Sequence, residues 1–287
     1  MSLNITNAQR AEILTQALPY IQQYNKKTIV IKYGGNAMIN EELKQQVMED
    51  IILLRLIGVR IVLVHGGGPE ITETLAKIGK ETVFVDGLRV TDRETAEVVQ
   101  MVLAGKINKS LVNLLQMKGG KAMGISGIDG KMITAQPKDK RLGYVGTITD
   151  VNIEPITDLI RHHYIPVVST VARDDEGNVY NINADTAAAY IAGALEAECL
   201  ISMTDIAGIL KDKDNPDTLI PKITVSEAGK LFEDGTISGG MIPKVECCLE
   251  AIKRGVKKVF IMDGRVPHSL LIETLTNEGA GTMVVGD

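Results

Sequence analysis

Five short apolar runs constrain the fold of this 287-residue chain more than any other feature of its sequence. Each run is almost continuously apolar, and amphipathic helical patterns lie between several of them. Strands of this kind occur in parallel sheets that helices cover on both faces. The pattern therefore predicts an α/β fold with a central, mainly parallel sheet. The runs are TIVIKY (28–33), RIVLVH (60–65), PVVST (166–170), CLISMT (199–204) and KKVFIM (257–262).

Three segments before or between these runs carry predictions of their own. Residues 7–25 carry apolar residues at helical spacing. They predict a helix that Asn7 can cap and that Pro19 should kink. This helix either folds back on its own domain or forms an arm that docks on a partner subunit. Residues 40–57 predict a second amphipathic helix, and the glycine-rich residues 119–150 predict hairpins at one edge of the sheet. No linker divides the chain into independent domains.

Composition argues against several classes of protein. The net charge of −5 disfavours nucleic-acid binding, which favours a basic surface. The three cysteines, Cys199, Cys247 and Cys248, contain no C-x-x-C pair, and the four histidines lack metal-ligand spacing. We therefore expect neither a disulfide framework nor a zinc site. The sequence has no secretory signal and no apolar run long enough for a membrane span, so we expect a cytoplasmic protein.

A glycine-rich turn follows the second predicted strand, where ligands of parallel sheets bind. Its residues are Gly66-Gly67-Gly68-Pro69, and proline is favoured in the first turn of a helix. Several glycines let backbone N–H groups approach an anion at a helix N-terminus, whereas a tight turn alone needs only one glycine. The chain has no G-x-x-x-x-G-K-[ST] motif, which excludes a P-loop. It also has no G-x-G-x-x-G motif, which weakens the case for a dehydrogenase.

Two lysines lie beside glycine-rich turns. Lys32 ends the first strand just before Gly34 and Gly35, at a position where a lysine is usually solvated. Lys244 follows the turn Ser238–Gly240 and falls in the first turn of a helix, where a cation opposes the helix dipole. Two lysines at two such turns suit phosphoryl transfer, in which the protein neutralises charge on the moving group.

Four further polar residues are candidates for the same site. Asp185 opens an alanine-rich helix and is either its N-cap or a carboxylate that orients both lysines or helps to hold a metal. Asn181 and Asn183 precede it and would then contact a substrate. Arg89 follows a predicted turn and can bind a carboxylate in a bidentate manner, with a surface ion pair as the plainer alternative.

Six motifs, taken in order, resemble those of the amino-acid kinase family: IKYGGNAM, VHGGGPEI, GLRVTD, NINADTAAAYIA, MTDIAGIL and SGGMIPKVE. Each motif is weak alone, but six in order are specific. The resemblance implies a three-layer αβα sandwich, the amino-acid kinase fold, over residues 27–287. Within it, residues 27–176 would form a substrate-binding and dimerisation lobe and residues 177–287 an ATP-binding lobe. The pairing of GLRVTD with NINAD is similar to that of members that phosphorylate N-acetyl-L-glutamate.

The resemblance also implies roles for individual residues. The γ-carboxylate of N-acetyl-L-glutamate would attack the γ-phosphoryl of ATP, and Mg²⁺ would be held through the nucleotide rather than by a protein site. Lys32 and Lys244 would stabilise the transition state, and Asp185 would organise them. The acceptor would contact Gly34, Gly35, Gly67, Gly68, Arg89, Asn181 and Asn183. The nucleotide would contact Lys32, Gly34, Asp205, Gly208, Ile209, Leu210, Thr236, Ile237, Ser238, Gly240, Met241 and Lys244.

The chain further resembles the arginine-inhibited branch of this family. Residues 1–26 are similar to a kinked N-terminal helix that joins dimers into a hexamer, a trimer of dimers. The C-terminal pattern implies that His268, Glu278 and Gly281 bind L-arginine as a feedback inhibitor. Some relatives also associate with a nitrogen-signalling regulatory protein. The alternatives are another activity of the family, carbamate or uridylate kinase, and a non-catalytic arginine sensor, which would not turn over ATP.

Overall fold

The computed structural model describes residues 6–38 and 40–287. Residues 1–5 of the predicted N-terminal segment lie outside that range. The described strands are β1 (Thr28–Tyr33), β2 (Arg60–His65), β3 (Phe84–Val85), β4 (Leu88–Arg89), β5 (Ala122–Ser126), β6 (Ile133–Pro137), β7 (Gly146–Val151), β8 (Ile165–Ser169), β9 (Val171–Arg173), β10 (Val179–Asn181), β11 (Cys199–Thr204), β12 (Lys222–Thr224), β13 (Lys258–Asp263) and β14 (Gly281–Val285).

Helices fill most of the connections between these strands. They are α1 (Asn7–Gln16), α2 (Leu18–Tyr24), α3 (Glu41–Leu56), α4 (Gly68–Lys77), α5 (Arg93–Gln100), α6 (Asn108–Met117), α7 (Glu154–Arg161), α8 (Ala184–Ala194), α9 (Val225–Glu233), α10 (Ile242–Lys253) and α11 (Ser269–Leu275). A π-helical segment, Met101–Ile107, joins α5 to α6 without a break. The predicted helix at 40–57 is α3, which Asn40 caps by accepting a hydrogen bond from the Leu43 N–H at 3.0 Å.

The central sheet has eight strands in the order β12-β14-β13-β11-β1-β2-β8-β5. All five predicted apolar runs belong to it, and they pair in parallel with one another, which confirms the predicted sheet. The exception to parallel pairing is β14, which runs antiparallel to β13. Alternate residues of β1 point to opposite faces: Ile29 and Ile31 join one apolar cluster, and Val30 joins the other. The sheet is therefore buried on both sides, as a three-layer sandwich requires.

The prediction for residues 119–150 was wrong in part. This segment supplies β5, a parallel edge strand beside β8, rather than an edge hairpin. The following strands, β6 and β7, do form an antiparallel pair, but in a separate four-stranded sheet of order β10-β9-β6-β7. The separate sheet packs through Ile133, Ala135 and Ile148 into the apolar cluster that also contains Val30.

The N-terminal helix is bent, as predicted, but its cap is different. Thr6 caps α1 instead of Asn7, through a capping box with Gln9. The helix breaks between α1 and α2, and Pro19 lies in the first turn of α2, where it can be accommodated. None of the described residues of α1 is buried, and its apolar Leu14 is 75% exposed. In contrast, α2 inserts Tyr24 into the core, where its hydroxyl accepts a hydrogen bond from Lys258 Nζ at 2.9 Å.

Candidate active site

The first part of the site is a buried lysine in the centre of the sheet. Lys32 lies within β1, and the parallel register places it directly beside Ser202 of β11. Its side chain is only 8% exposed, and its Nζ lies 3.1 Å from Asp185 Oδ1 and 3.5 Å from the Met203 carbonyl. The alternative that Lys32 is an ordinary solvated lysine at the end of a strand is therefore wrong. A buried ammonium group needs such partners, because burial without them is costly.

Asp185 connects the two predicted lysines. Its Oδ1 accepts hydrogen bonds from Lys32 and, at 3.0 Å, from Ser202 Oγ, while its Oδ2 lies 4.0 Å from Lys244 Nζ. Burial alone would raise the pKa of Asp185, but the charges of Lys32 and Lys244 and the two hydrogen bonds outweigh burial and lower it. The carboxylate therefore stays ionised at neutral pH and holds both cations near one point.

The helix-cap alternative for Asp185 was wrong. Asn183 is the N-cap of α8, because its Oδ1 accepts the Thr186 N–H at 3.0 Å. Asp185 lies in the first turn of the helix, where its charge also complements the helix dipole. Its side chain is free to turn inward because a neighbour has taken the capping role. On the other side of the site, Lys244 lies in the first turn of α10, as predicted, with its side chain 27% exposed.

The glycine-rich turn after β2 presents two free donors. Within the described chain, the amide N–H groups of Gly67 and Gly68 have no hydrogen-bond acceptor, as expected for the first residues of a helix. A Cβ at Gly67 would overlap the end of the Ile107 side chain and lie 2.8 Å from Leu103 Cδ2, so a larger residue would require both side chains to move. Gly35 is similarly constrained, because it has a φ of 70° and its Cβ would overlap the Asp205 carboxylate. The backbone can therefore approach a ligand closely at both turns.

Arg89 is buried and lines the same cavity. Its guanidinium donates to Thr82 Oγ1 at 3.1 Å and to the Gly68 carbonyl and Thr72 Oγ1, each at 2.9 Å. The Phe84 ring lies 4.9 Å from its Cζ. No acidic side chain of the described chain forms a salt bridge with it, so the surface ion pair considered from sequence is absent. Burial lowers the pKa of Arg89 from its usual value, but an arginine remains charged and lacks an anionic partner.

Two cavities meet at Asp185. The first, of about 290 Å³, brings together the predicted Lys32 and Arg89 with Gly34, Gly35, Gly67, Gly68, Asn181, Asn183 and Asp185. The second, of about 580 Å³, is lined by Lys244, Gly240, Leu88 and Lys138 and also by the acidic Asp86, Glu246 and Glu250. Leu88, Asn183 and Asp185 line both. Lys32 lies on the wall of the first cavity and Lys244 on that of the second, so each cavity presents an ammonium group beside Asp185.

The other predicted nucleotide residues lie in two loops that follow β11 and precede α10. Ile209 and Ile237 are buried, and the Ile209 N–H donates to Thr282 Oγ1 at 2.8 Å. Gly208 has a φ of 146°, and its Cβ would lie 2.6 Å from Thr282 Oγ1. Of this set, only Gly240 and Lys244 line the second cavity; Asp205, Gly208, Ile209, Leu210, Thr236, Ile237, Ser238 and Met241 do not.

The predicted arginine-binding residues lie away from these two cavities. His268 has a left-handed backbone conformation, and its Nδ1 lies 2.6 Å from Asp50 Oδ1 of α3. Gly281 begins β14, where a Cβ would overlap the Ile261 carbonyl oxygen. Glu278 lies in the loop before that strand, and its N–H donates to Thr276 Oγ1 at 3.2 Å.

Sequence reasoning missed two polar residues at the site. Ser202 and His65 are buried inside strands that were interpreted as apolar runs. A hydroxyl or an imidazole in such a run was the available signal, because a buried polar group needs a specific partner. Among the described residues, no three His, Cys, Asp or Glu side chains cluster as metal ligands. None of the described helices has the length and apolar composition of a membrane-spanning segment.

A parallel sheet with one lysine on β1 and a second lysine on α10, both beside one carboxylate and near a glycine turn at a helix N-terminus, is typical of α/β proteins that bind phosphoryl groups. The comparisons with known proteins are more specific. The family model described as "Amino acid kinase family" matches residues 27–263. This chain belongs to the amino acid kinase family.

Curated relatives are similar to this chain over nearly their whole length. The acetylglutamate kinase of Brachyspira hyodysenteriae is 58% identical over 282 residues, which cover 98% of each chain. The acetylglutamate kinase of Clostridium kluyveri is 54% identical over 96% of this chain and 98% of its own. That of Nostoc sp. is 52% identical over 97% of this chain and 94% of its own.

Solved structures share the fold. The N-acetylglutamate synthase from Neisseria gonorrhoeae, complexed with coenzyme A and N-acetyl-glutamate, has a TM-score of 0.83 at 25% identity over 96% of this chain. This chain spans only 63% of that synthase chain. The carbamate kinase from Giardia lamblia bound to AMP-PNP has a TM-score of 0.66 at 20% identity, with 91% of this chain and 99% of that chain covered.

Proposed function

We propose that this chain transfers the γ-phosphoryl group of ATP to the γ-carboxylate of N-acetyl-L-glutamate, a step of arginine biosynthesis. The observation that carries this proposal is the arrangement of Lys32 and Lys244 on the two oxygens of Asp185, at the junction of two cavities. Relatives that are 52–58% identical over almost the whole chain carry the name acetylglutamate kinase, which supports this acceptor.

The first cavity suits an acylated amino acid with two carboxylates. Arg89 supplies a buried cation without an acidic partner, so it would pair with the α-carboxylate, and Asn181 lies beside it on the cavity wall. Gly67 and Gly68 supply free N–H groups for the reacting end, close to Lys32. Gly34, Gly35 and Asn183 complete the acceptor side of the wall.

The chemistry follows from this placement. A γ-carboxylate is ionised at neutral pH, so its oxygen attacks the γ-phosphorus without a general base. An O–P bond to the acceptor forms while the bond between the γ-phosphorus and the β,γ-bridging oxygen breaks, and ADP leaves with the electron pair. Lys32 and Lys244 neutralise charge on the transferring group, and Asp185 keeps both ammonium groups in place. Such preorganised charge is the main source of catalysis in phosphoryl transfer.

ATP would occupy the side of Lys244. Gly240 and Lys244 line the second cavity, and the loops with Asp205–Leu210 and Thr236–Met241 would hold the rest of the nucleotide. Mg²⁺ supplies charge neutralisation on the β- and γ-phosphates when it is bound. Asp185 is already engaged by two lysines and Ser202, which fits a metal held mainly through the nucleotide.

Three regulatory features belong to the same proposal. L-arginine would inhibit the enzyme through His268, Glu278 and Gly281. Residues 1–26 would join dimers into a hexamer, and the exposed apolar side of α1 supports a partner subunit as its occupant. A nitrogen-signalling regulatory protein would be a further partner. The division into lobes at residues 27–176 and 177–287 also remains a proposal, as does a cytoplasmic location.

A substitution at Arg89 tests the acceptor. We expect Arg89→Ala to raise KM for N-acetyl-L-glutamate about tenfold or more while KM for ATP changes little, since a lost charged hydrogen bond costs about 1.5–3 kcal/mol. Thr82→Val removes one neutral partner of Arg89 and keeps the cation, so it serves as the matched control. An unchanged KM for the acceptor in Arg89→Ala would contradict the assignment.

A further inference from the structure

The glycine turn after β2 needs contacts that fix its conformation. Gly66, Gly67 and Gly68 have no side chains, so their backbone loses much freedom on ordering. An anion-binding turn works best when its N–H groups are held in place before the ligand arrives. The free N–H groups of Gly67 and Gly68 line the first cavity, so whatever fixes this turn also sets the geometry of the site.

The side chain of His65 holds the turn from inside the sheet. His65 is the last residue of β2 and is fully buried. Its Nδ1 lies 2.9 Å from the Gly66 carbonyl oxygen, which can only accept, so Nδ1 carries the proton and donates it. Its Nε2 lies 3.2 Å from the Nδ2 amide of Asn108, which can only donate, so Nε2 accepts. The two contacts select one neutral tautomer.

Asn108 is itself held in a network that fixes this choice. Its Nδ2 also donates to the Val167 carbonyl at 2.9 Å and lies 3.3 Å from the Ile125 carbonyl. Its Oδ1 accepts from Lys109 Nζ at 3.0 Å. Exchanging the amide oxygen and nitrogen would place an oxygen against these two carbonyls, so this orientation is required.

The π-helical segment before α6 brings these parts together. A π turn shifts the helix register, which is a common feature of functional sites. The shift ends at Ile107, which fills the space left by the missing Cβ of Gly67, and places Asn108 against His65. Leu103 of the same segment lines the first cavity.

We propose that His65 is a positioning residue for phosphoryl transfer: in the tautomer fixed by Asn108, it holds the Gly66 peptide so that the N–H groups of Gly67 and Gly68 face the acceptor. The inference rests on the proposed function. Burial, together with the charge of Lys109, lowers the pKa of His65 to about 4 although the hydrogen bond to Gly66 opposes this change. The ring therefore stays neutral and exchanges no proton during the reaction.

Three substitutions separate this role from simple packing. His65→Asn places an amide N–H where Nδ1 lies, whereas the longer side chain of His65→Gln reaches the position of Nε2. His65→Leu fills the space without a polar group. We expect His65→Gln and His65→Leu to lose about tenfold or more in kcat with little change in KM, because misplaced groups cost rate. His65→Asn should retain most of the rate. Thermal unfolding of each variant is measured in parallel.

The order of kcat among the three His65 variants tests the inference. If His65→Gln is as active as His65→Asn, or if the losses appear only in KM or follow the loss of thermal stability, the inference is wrong. A wild-type chain without turnover would overturn the proposed function and this inference together. If the variants do not fold, ¹⁵N NMR of the wild-type imidazoles gives the test. A neutral His65 ring with its proton on Nδ1 is expected, and a proton on Nε2 would overturn the inference.

Discussion

At the scale of single residues, the two lysines have separable roles that mutation can test. We expect Lys32→Ala and Lys244→Ala each to lower kcat by about 10²–10³, the usual cost of removing one charge-stabilising donor. Lys32→Ala should also destabilise the fold more than Lys244→Ala, because Lys32 is the more deeply buried partner of Asp185. Steady-state kinetics and thermal unfolding measure the two effects.

The exposed Lys230 of α9 provides a matched control for these substitutions. Lys230→Ala removes the same charge and should leave kcat unchanged. Near-wild-type turnover of either Lys32→Ala or Lys244→Ala would show that the lysine does not stabilise the transition state.

Ser202 predicts a change in the titration of Asp185. Burial raises the pKa of Asp185, but the charges of Lys32 and Lys244 and the hydrogen bonds, including that from the Ser202 hydroxyl, lower it. The γ-carboxylate of the acceptor has an ordinary pKa above that of Asp185, so the loss of activity at low pH reports the acceptor first, and the test uses the chain without substrate. Ser202→Ala should move the titration of Asp185, followed by carboxyl ¹³C NMR, to higher pH, while Ser202→Thr, which keeps the hydroxyl, should not. Identical titrations for wild type and Ser202→Ala would contradict the role.

The sequence allowed the main charged residues of the site to be predicted, but not their supports. Lys32, Arg89, Asp185 and Lys244 stand in motifs with recognisable chemistry. Ser202 was missed because its contact with Asp185 depends on how α8 packs against β11, and spacing along the chain does not contain that packing. The capping role given to Asp185 was misplaced because any of several polar residues before α8 could have taken it.

At the scale of elements, the contact between α3 and α11 predicts a pH-dependent stability. Asp50 is buried, its Oδ2 has no partner among the described residues, and burial raises its pKa to about 6 although His268 opposes the shift. The folded chain thus binds this proton more tightly than the unfolded chain between about pH 4 and 6. The contribution of Asp50 to stability therefore falls as the pH rises through that window.

Asp50→Asn removes this titration. Its free energy of unfolding, relative to wild type, should increase between about pH 4 and 6 and level off above, by at most about 3 kcal/mol. Urea denaturation at several pH values measures the difference, with a substitution of the exposed Glu97, Glu97→Gln, as control. A difference that does not change with pH would contradict the origin assigned to the shift.

The N-terminal helix predicts an effect on assembly. Deleting residues 1–16 removes α1 and leaves α2, whose Tyr24 belongs to the core. We expect the deletion to lower the molar mass in sedimentation from that of a hexamer to that of a dimer, since the exposed apolar side of α1 would lose its partner. Leu14→Asp should act in the same direction, whereas Glu12→Ala on the exposed helix serves as control. An unchanged mass in the deletion would count against the arm.

Elements could be predicted where the pattern was local. The five apolar runs and the helix after Asn40 needed only periodicity and end signals. The antiparallel β14 and the separate sheet of β6, β7, β9 and β10 were not predicted. Their strands are short, begin with glycine or end in proline, and their partners are fixed by packing between distant segments of the chain.

At the scale of the whole molecule, the sheet places the two halves of the site on either side of one carboxylate. The N-terminal half supplies Lys32, the glycine turn and Arg89, and the C-terminal half supplies Asp185 and Lys244. Binding of both substrates would bring two anions to one point, where the lysines reduce their repulsion. Neither half alone contains the complete arrangement, so activity should require the intact chain.

The two cavities and the lysines of β1 and α10 are proposed to phosphorylate the carboxylate of an acylated glutamate. The most direct measurement is formation of an acyl phosphate, trapped as a hydroxamate by hydroxylamine, together with ADP release from MgATP. We predict equal amounts of hydroxamate and ADP with N-acetyl-L-glutamate and almost none with L-glutamate or without an acceptor. ADP release that is independent of the acetylated acceptor, or no release at all, would contradict the account.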